Sequence, residues 1–128
     1  MRLLLDTHAW LWWNQDAPEL SRPARRAIAN PANECWLSIA SAWEMALKIS
    51  NGKLSLDGDL EHFLPAQMAE NGFAFLPIEV RHVAGTVQLP FHHRDPFDRL
   101  IIAQALVEGL AVVSADTVFS KYGVRRIW

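Results

Sequence analysis

Short apolar runs alternate with longer segments of helical character along the chain. The apolar runs are brief and bounded by turn residues, which is typical of buried strands; they are RLLL (2–5), ECWLS (34–38), FAFLPI (73–78), LAVVSAD (110–116) and VRRIW (124–128). Strands separated by helices indicate βαβ units. We therefore predict one α/β domain over residues 1–128, with a short, mostly parallel sheet of four to five strands and helices on both faces.

The helical segments carry start and stop signals. These are N-capping residues, prolines in the first turn, and glycine or asparagine at the end: Ser21, Pro23, Asn51, Gly52, Gly72, Asp95, Pro96 and Gly109. The segment at 60–70 contains Pro65, which removes a backbone hydrogen bond and clashes with the preceding turn. We expect Pro65 to bend or split that helix.

Two acidic residues follow predicted strands. Asp6 ends the first strand, and Asp116 comes two residues after LAVVS. Ligands of parallel α/β sheets bind beyond the carboxyl ends of the strands. Both acids are therefore predicted to lie at the same edge of the sheet.

Two further acids occupy early turns of predicted helices and have apolar neighbours. Asp98 heads a stripe of apolar residues that follow at spacings of 3, 4 and 7, so it faces the same way as side chains of the core. Glu44 borders Trp43 and Leu47. Apolar surroundings are an unusual setting for carboxylates, so these two acids join Asp6 and Asp116 as candidates for chemistry.

Structural roles could explain each acid separately. Ser41 and Glu44 have the spacing of a capping box, and Glu44 and Lys48 have the spacing of an exposed ion pair. Asp98 fits the third position of a capped helix, where an acid is favourable, and the two strand-end acids could cap the segments that follow them. Capping does not explain why all four acids meet apolar neighbours.

Composition and charge limit the classes of molecule that the protein is expected to bind. The net charge is −2, from 12 basic and 14 acidic residues, so any contact with nucleic acid depends on a local basic patch or on metal ions. The single cysteine, Cys35, excludes an internal disulfide framework and a cysteine-based zinc site, and is predicted to be a buried thiol. Asp6 and His8 interrupt the first apolar run, and no run approaches the length of a membrane span. We therefore expect a cytoplasmic protein without membrane contact.

Clustered carboxylates in an apolar setting repel one another and have raised pKa values. They are stable as anions mainly when a divalent cation neutralises them. Carboxylate oxygens without histidine or thiolate are the ligands of Mg²⁺ or Mn²⁺, and these ions support phosphoryl chemistry. The four acids therefore predict a metal-dependent enzyme that acts on phosphate esters.

Four segments together resemble the PIN-domain ribonucleases, and more closely the VapC-type toxins of type II toxin–antitoxin pairs: LLLDTHAWLWW, LSIASAWEMALKISNGKL, LPFHHRDPFDRLIIAQALVEGLAVVSAD and FSKYGVRRIW. The resemblance implies one site with four acids that bind Mg²⁺ or Mn²⁺, namely Asp6, Glu44, Asp98 and Asp116. It also implies that Thr7 holds a metal-bound water. Finally, it implies a homodimer, an RNA substrate, and a cognate antitoxin whose tail covers the groove.

The resemblance suggests a mechanism as a hypothesis. Asp6, Asp98 and Asp116 hold the metal, while Glu44 binds it through water or acts as base for the attacking water, so that RNA is hydrolysed to a 5′-phosphate end. Basic residues near these acids are candidates for an RNA-binding rim, because phosphate neutralisation dominates such affinity: Lys48, Arg94 and Arg99. Arg99 could instead pair with Asp95 or another acid.

Three alternatives remain open at this stage. The chain could be an RNA-processing PIN nuclease without a toxin role, or a catalytically silent module that binds RNA or protein. A phosphatase-type or receiver-type domain fits poorly, because His8 stands where such a phosphatase has its second acid. The tryptophans at 10, 12, 13 and 43 could belong to the core, line a partner groove or stack an unpaired base.

Overall fold

The computed structural model describes residues 1–128 as one five-stranded sheet with six α-helices and two 3₁₀ turns. The strands are β1 (Arg2–Leu5), β2 (Glu34–Ser38), β3 (Ala74–Leu76), β4 (Ala111–Val113) and β5 (Arg126–Ile127). The helices are α1 (Thr7–Asn14), α2 (Arg22–Ala29), α3 (Ile39–Ser50), α4 (Leu60–Asn71), α5 (Val80–Gly85) and α6 (Pro96–Glu108). The 3₁₀ turns cover Thr86–Gln88 and Thr117–Tyr122.

All strands are parallel, in the order β3-β2-β1-β4-β5. β1 lies at the centre because its three leucines are wholly buried, and alternate side chains of a strand face opposite sides. Leu3 and Leu5 pack into one core cluster, and Leu4 packs into the other. The predicted α/β fold, with a parallel sheet covered on both faces, is confirmed.

Most of the predicted helices agree with the structure, but two details, at Pro65 and at Ser41, do not. α4 is continuous through Pro65, so a split at that residue is wrong; Leu64 and Met68 on either side are buried and hold both halves against the core. α3 begins at Ile39 with Ser38 as its N-cap. Ser41 therefore lies inside the helix, and the capping box with Glu44 is wrong.

The remaining predictions about the chain concern its cysteine and its membrane contact. Cys35 is a free, buried thiol, as predicted, and burial raises its pKa to about 11. None of the helices combines the length and the apolar character that crossing a bilayer requires.

Candidate functional site

The carboxyl edge of the sheet brings together acids that are far apart in sequence. Asp6 follows β1 as the N-cap of α1, and Asp116 follows β4 as the N-cap of a 3₁₀ turn. Glu44 comes from α3, and Asp98 comes from the first turn of α6. These acids line one cleft of about 230 Å³, which is completed by Thr7, His8, Asp95 and Phe119. The predicted juxtaposition of Asp6 and Asp116 is confirmed.

Asp6 is both a helix cap and a member of the cleft. Its side chain is 8% exposed, and its Oδ1 accepts a hydrogen bond from the amide of Ala9 at 2.7 Å. Burial raises the pKa of Asp6 above its ordinary value, although hydrogen bonds from Ser114 and the Ala9 amide act in the opposite direction. Asp6 can therefore cap α1 and belong to the site at once. Its hydrogen bonds offset only part of the cost of burying the carboxylate.

Glu44 is held by a chain of hydroxyl groups. The Thr7 hydroxyl donates to Glu44 Oε1 at 2.6 Å and lies 2.9 Å from the hydroxyl of Ser41. Because Thr7 has only one hydroxyl proton, Ser41 donates to it. Lys48 Nζ lies 3.5 Å from Glu44 Oε2, and the Glu44 side chain is only 14% exposed, so this pair is not the exposed ion pair that the spacing suggests.

Asp98 is a second carboxyl group of the cleft whose pKa is raised. Burial, followed by repulsion from Asp95, raises the pKa of Asp98 to about 7, while a hydrogen bond from His93 opposes the shift. His93 Nε2 lies 3.2 Å from Asp98 Oδ2, and its Nδ1 lies 2.7 Å from the hydroxyl of Tyr122. The cleft therefore concentrates more negative charge than its own cations neutralise.

This donor set fits a divalent cation of the Mg²⁺ or Mn²⁺ type. Five carboxylates line the cleft, and oxygen-only sets are those that hard divalent ions prefer. Two of the acids, Asp6 and Asp98, have raised pKa values because they are desolvated or crowded. A bound cation would remove that penalty, because it favours the ionised form of each.

Several members of the site are not indicated as such by sequence. Asp95 is predicted only as a helix cap; its Oδ1 does accept the amides of Phe97 and Asp98, at 2.9 and 3.0 Å, but the residue also lines the cleft. Ser114 accepts the amide of Asp116 at 3.0 Å, and it is one of the groups that lower the pKa of Asp6. The position of Ser114, between a predicted strand and the candidate acid Asp116, is the one sequence feature that indicates a place near the site.

Arg99 is not part of an exposed basic rim, and it does not pair with an acid. The residue is 7% exposed, and its guanidinium donates to the carbonyls of Leu89 and Pro90 and to the hydroxyl of Tyr122. It also stacks on Phe91, 4.1 Å from the ring centroid. Arg99 therefore ties the loop before α6 to the helix. Of the other two rim candidates, Arg94 is exposed and Lys48 is half-buried.

Replacing Arg99 with lysine is expected to lower the free energy of unfolding by about 2–3 kcal/mol, because an ammonium cannot serve the carbonyls of Leu89 and Pro90 together and leaves one unpaired. Chemical denaturation of both proteins measures the difference. Arg94→Lys, on the exposed side of the same loop, is the matched control and should change stability by less than about 0.5 kcal/mol. Equal effects of the two substitutions would contradict this structural role.

A second group of titratable side chains lies away from the cleft. Ligand atoms of Glu79, His82 and Glu108 fall within 4.8 Å of one another. Arg81 donates to both carboxylates, and the buried His82 accepts the amide of Glu79 and bonds to Glu108. Arg81 offsets one of the two negative charges, and the bonds of His82 complete a hydrogen-bonded network between α5 and α6.

Comparison with known proteins gives both a family and a set of relatives. Residues 3–124 match the family described as PIN domain. Ribonuclease VapC22 of Mycobacterium tuberculosis is 32% identical over 115 residues, which are 89% of this chain and 86% of that protein.

Two solved structures share the fold at low sequence identity. VapBC2 from Rickettsia felis, bound to a DNA fragment from its promoter, superposes with a TM-score of 0.72 at 14% identity, over 98% of this chain and 97% of that one. FitAcB from Neisseria gonorrhoeae has a TM-score of 0.64 at 20% identity, over 97% and 95%.

Proposed function

Because the chain belongs to the PIN-domain family, as its match over residues 3–124 shows, we propose that it is a metal-dependent endoribonuclease and the toxin of a toxin–antitoxin pair. The observation that carries the proposal is the single cleft in which Asp6, Glu44, Asp98 and Asp116 converge from four segments of the chain. A relative named Ribonuclease VapC22, 32% identical over most of the chain, supports the choice of RNA as substrate.

Three of the four acids would bind the ion directly, and Glu44 has one of two other roles. Asp6, Asp98 and Asp116 would hold Mg²⁺ or Mn²⁺. The bound ion polarises a phosphate oxygen and makes water a stronger acid. Glu44 is fixed by Thr7 at 2.6 Å, and it either supports the ion through a water or accepts a proton from the attacking water. Hydrolysis then leaves a 5′-phosphate and a 3′-hydroxyl.

Two further side chains at the cleft suit the substrate backbone. Lys48 Nζ lies 3.5 Å from His8 Nε2 and the same distance from Glu44 Oε2. Lys48 therefore stands where it can contact a phosphate oxygen once one enters the cleft, and the exposed Arg94 adds charge near α6. Thr7 acts in this scheme by orienting Glu44, and a role in holding a metal-bound water is compatible with it.

The test is cleavage of single-stranded RNA by the purified chain. We expect cleavage with Mg²⁺ or Mn²⁺, none in excess EDTA, and fragments that a 5′-phosphate-dependent exonuclease can degrade. Asp6→Asn should be folded and inactive. Full cleavage in excess EDTA would refute the metal mechanism. If the folded wild-type protein cleaves no RNA, the alternative of a catalytically silent binding module is favoured instead.

The toxin role requires a partner protein. The solved neighbours include VapBC complexes, and by this analogy an antitoxin would cover the cleft. Expression of the chain should arrest growth, and co-expression of a protein encoded beside it should relieve the arrest. Growth arrest without any such partner would favour an RNA-processing nuclease instead.

The proposed homodimer has a candidate face on α5 and the following turn. Val80, Val83 and Val87 are 85%, 51% and 81% exposed, and Leu106 and Val107 on the neighbouring α6 are also exposed. Contiguous exposed apolar residues mark association surfaces. A two-fold interface uses the same patch on both copies.

Val83→Asp is expected to convert the dimer to a monomer, because it buries an unpaired charge at the interface centre; the dissociation constant should rise at least about 30-fold. Light scattering after size-exclusion chromatography gives the mass. Ala66→Asp, which adds the same charge on the exposed side of α4, should remain dimeric. A dimeric Val83→Asp protein would place the interface elsewhere.

A further inference from the structure

The acid cleft continues into a second pocket with a different character. This pocket has a volume of about 280 Å³ and is lined by Asp6, His8, Trp12, Ala115 and Asp116. It shares Asp6, His8 and Asp116 with the acid cleft. A molecule bound at the acids would therefore extend into it without crossing a barrier.

An aromatic side chain forms the outer wall of this pocket. His8 and Trp12 are four residues apart on α1, so they share one face of the helix. Their ring centroids lie 5.6 Å apart, and the ring of Trp128 lies 5.8 Å from that of Trp12. Trp12 therefore has two aromatic neighbours, of which His8 is exposed.

Trp12 and Trp13 both pack against the core, but Trp12 is the tryptophan of this helix that lines the pocket. Trp10 is wholly buried in the core. Trp13 donates its indole N–H to Asn71 Oδ1 at 3.1 Å and packs against Phe73. Trp12 is half-buried and borders a pocket next to the acids, so it is the member of this group that is placed to touch a substrate.

We propose that the pocket bordered by His8, Trp12 and Ala115, called here the base pocket, binds one unpaired nucleobase of the RNA, stacked on Trp12. The inference rests on the proposed ribonuclease function. Because the two sites share Asp6, His8 and Asp116, one ligand can occupy both, and a nucleotide supplies a phosphate and a flat aromatic group in one unit. Stacking on tryptophan requires an unstacked base, so the substrate is single-stranded at this position.

Binding of uncut RNA tests the base pocket directly. In the Asp98→Asn background, Trp12→Leu should weaken binding of a single-stranded oligoribonucleotide by roughly 5- to 150-fold, the range for the loss of one stacked base, whereas Trp12→Phe should retain most of the affinity. Trp13→Leu, on the same helix but outside the pocket, is the matched control and should bind normally. Melting temperatures establish that each variant is folded.

Substrates that lack one base add a readout that a structural role of Trp12 would not change. The wild type should cleave an oligonucleotide with an abasic nucleotide at one position beside the cut site at least about 5-fold more slowly than the intact one. Trp12→Leu should cleave both at the same reduced rate. Equal binding by Trp12→Leu and the wild type, or an abasic penalty that persists in Trp12→Leu, overturns the base pocket.

The failure of this inference is distinguishable from failure of the proposed function. If the wild type cleaves RNA with Mg²⁺ and Trp12→Leu binds and cleaves equally well, the ribonuclease assignment stands and the pocket serves something other than a base, such as a protein partner. If the wild type cleaves no RNA, the proposed function fails, and the base pocket fails with it.

Discussion

Replacing Asp98 with asparagine is expected to abolish RNA cleavage and, at pH 8, to make the metal-free protein more stable. The loss of activity should be at least about 10²- to 10³-fold, the scale for removing a group that stabilises charge in the transition state. The gain in stability follows from the pKa of about 7, which burial and Asp95 impose on Asp98. At pH 8 the folded protein contains an ionised carboxylate in a place that disfavours it, and the amide removes that cost.

The sign of the pH dependence is fixed by the direction of the shift. Between about pH 4 and pH 7 the folded state of the metal-free protein keeps the Asp98 proton that the unfolded state has lost, so the free energy of unfolding falls as the pH rises through this range. One pKa unit corresponds to about 1.4 kcal/mol, and we expect Asp98→Asn to recover on the order of 2 kcal/mol at pH 8 and little at pH 4.

Denaturation at both pH values, in EDTA, measures this difference. Asp57→Asn, the same substitution at an exposed acid outside the cleft, should leave both activity and stability near those of the wild type. A destabilised Asp98→Asn protein would mean that the carboxylate serves the fold rather than the chemistry.

Magnesium is expected to raise the melting temperature much more at pH 8 than at pH 5.5. At pH 5.5 the pKa of about 7 keeps Asp98 largely protonated, and burial also raises the pKa of Asp6, so the ion must displace protons before it can bind. At pH 8 Asp98 is already ionised and repels its neighbours. The ion then binds more tightly and stabilises the folded state by mass action, by about 2.7 kcal/mol at 100 times its dissociation constant.

Thermal unfolding at the two pH values, with and without Mg²⁺, provides the measurement, and calorimetric titration in buffers of different ionisation enthalpy should detect proton release. Excess EDTA should reverse the effect. The double substitution of Asp6 and Asp98 by asparagine should remove it, whereas Asp57→Asn should not. An equal stabilisation at pH 5.5 and pH 8 would contradict a site built on these two acids.

The fold and the positions of the acids follow from local patterns in the sequence. The apolar run at 2–5 and the helix signals around it predict a buried parallel strand, and the rule that ligands bind at strand carboxyl ends predicts that Asp6 and Asp116 meet there. The structure agrees on both points. Apolar neighbours indicated Glu44 and Asp98 as candidates, but neither acid follows a strand directly, and only resemblance to a known family predicted that they share one site with Asp6 and Asp116.

Other features depend on contacts that no local pattern specifies. Ser38 and Ser41 are both acceptable caps, and the choice of Ser38 depends on where β2 ends. Arg99 looks like a surface cation beside the acids, but its partners are carbonyls of residues 89 and 90, in a loop whose path is not periodic. Which tryptophans are buried and which line a pocket likewise depends on how α1 packs against the sheet.

The four acids assigned to catalysis lie at positions 6, 44, 98 and 116, so no short stretch of the chain contains more than a part of the site. A chain that is still being synthesised has the first acid without the last, and a partly unfolded chain does not bring the acids together. Under the proposed ribonuclease function, this dispersal means that a nascent chain is not expected to cleave its own messenger RNA until almost the whole domain has folded.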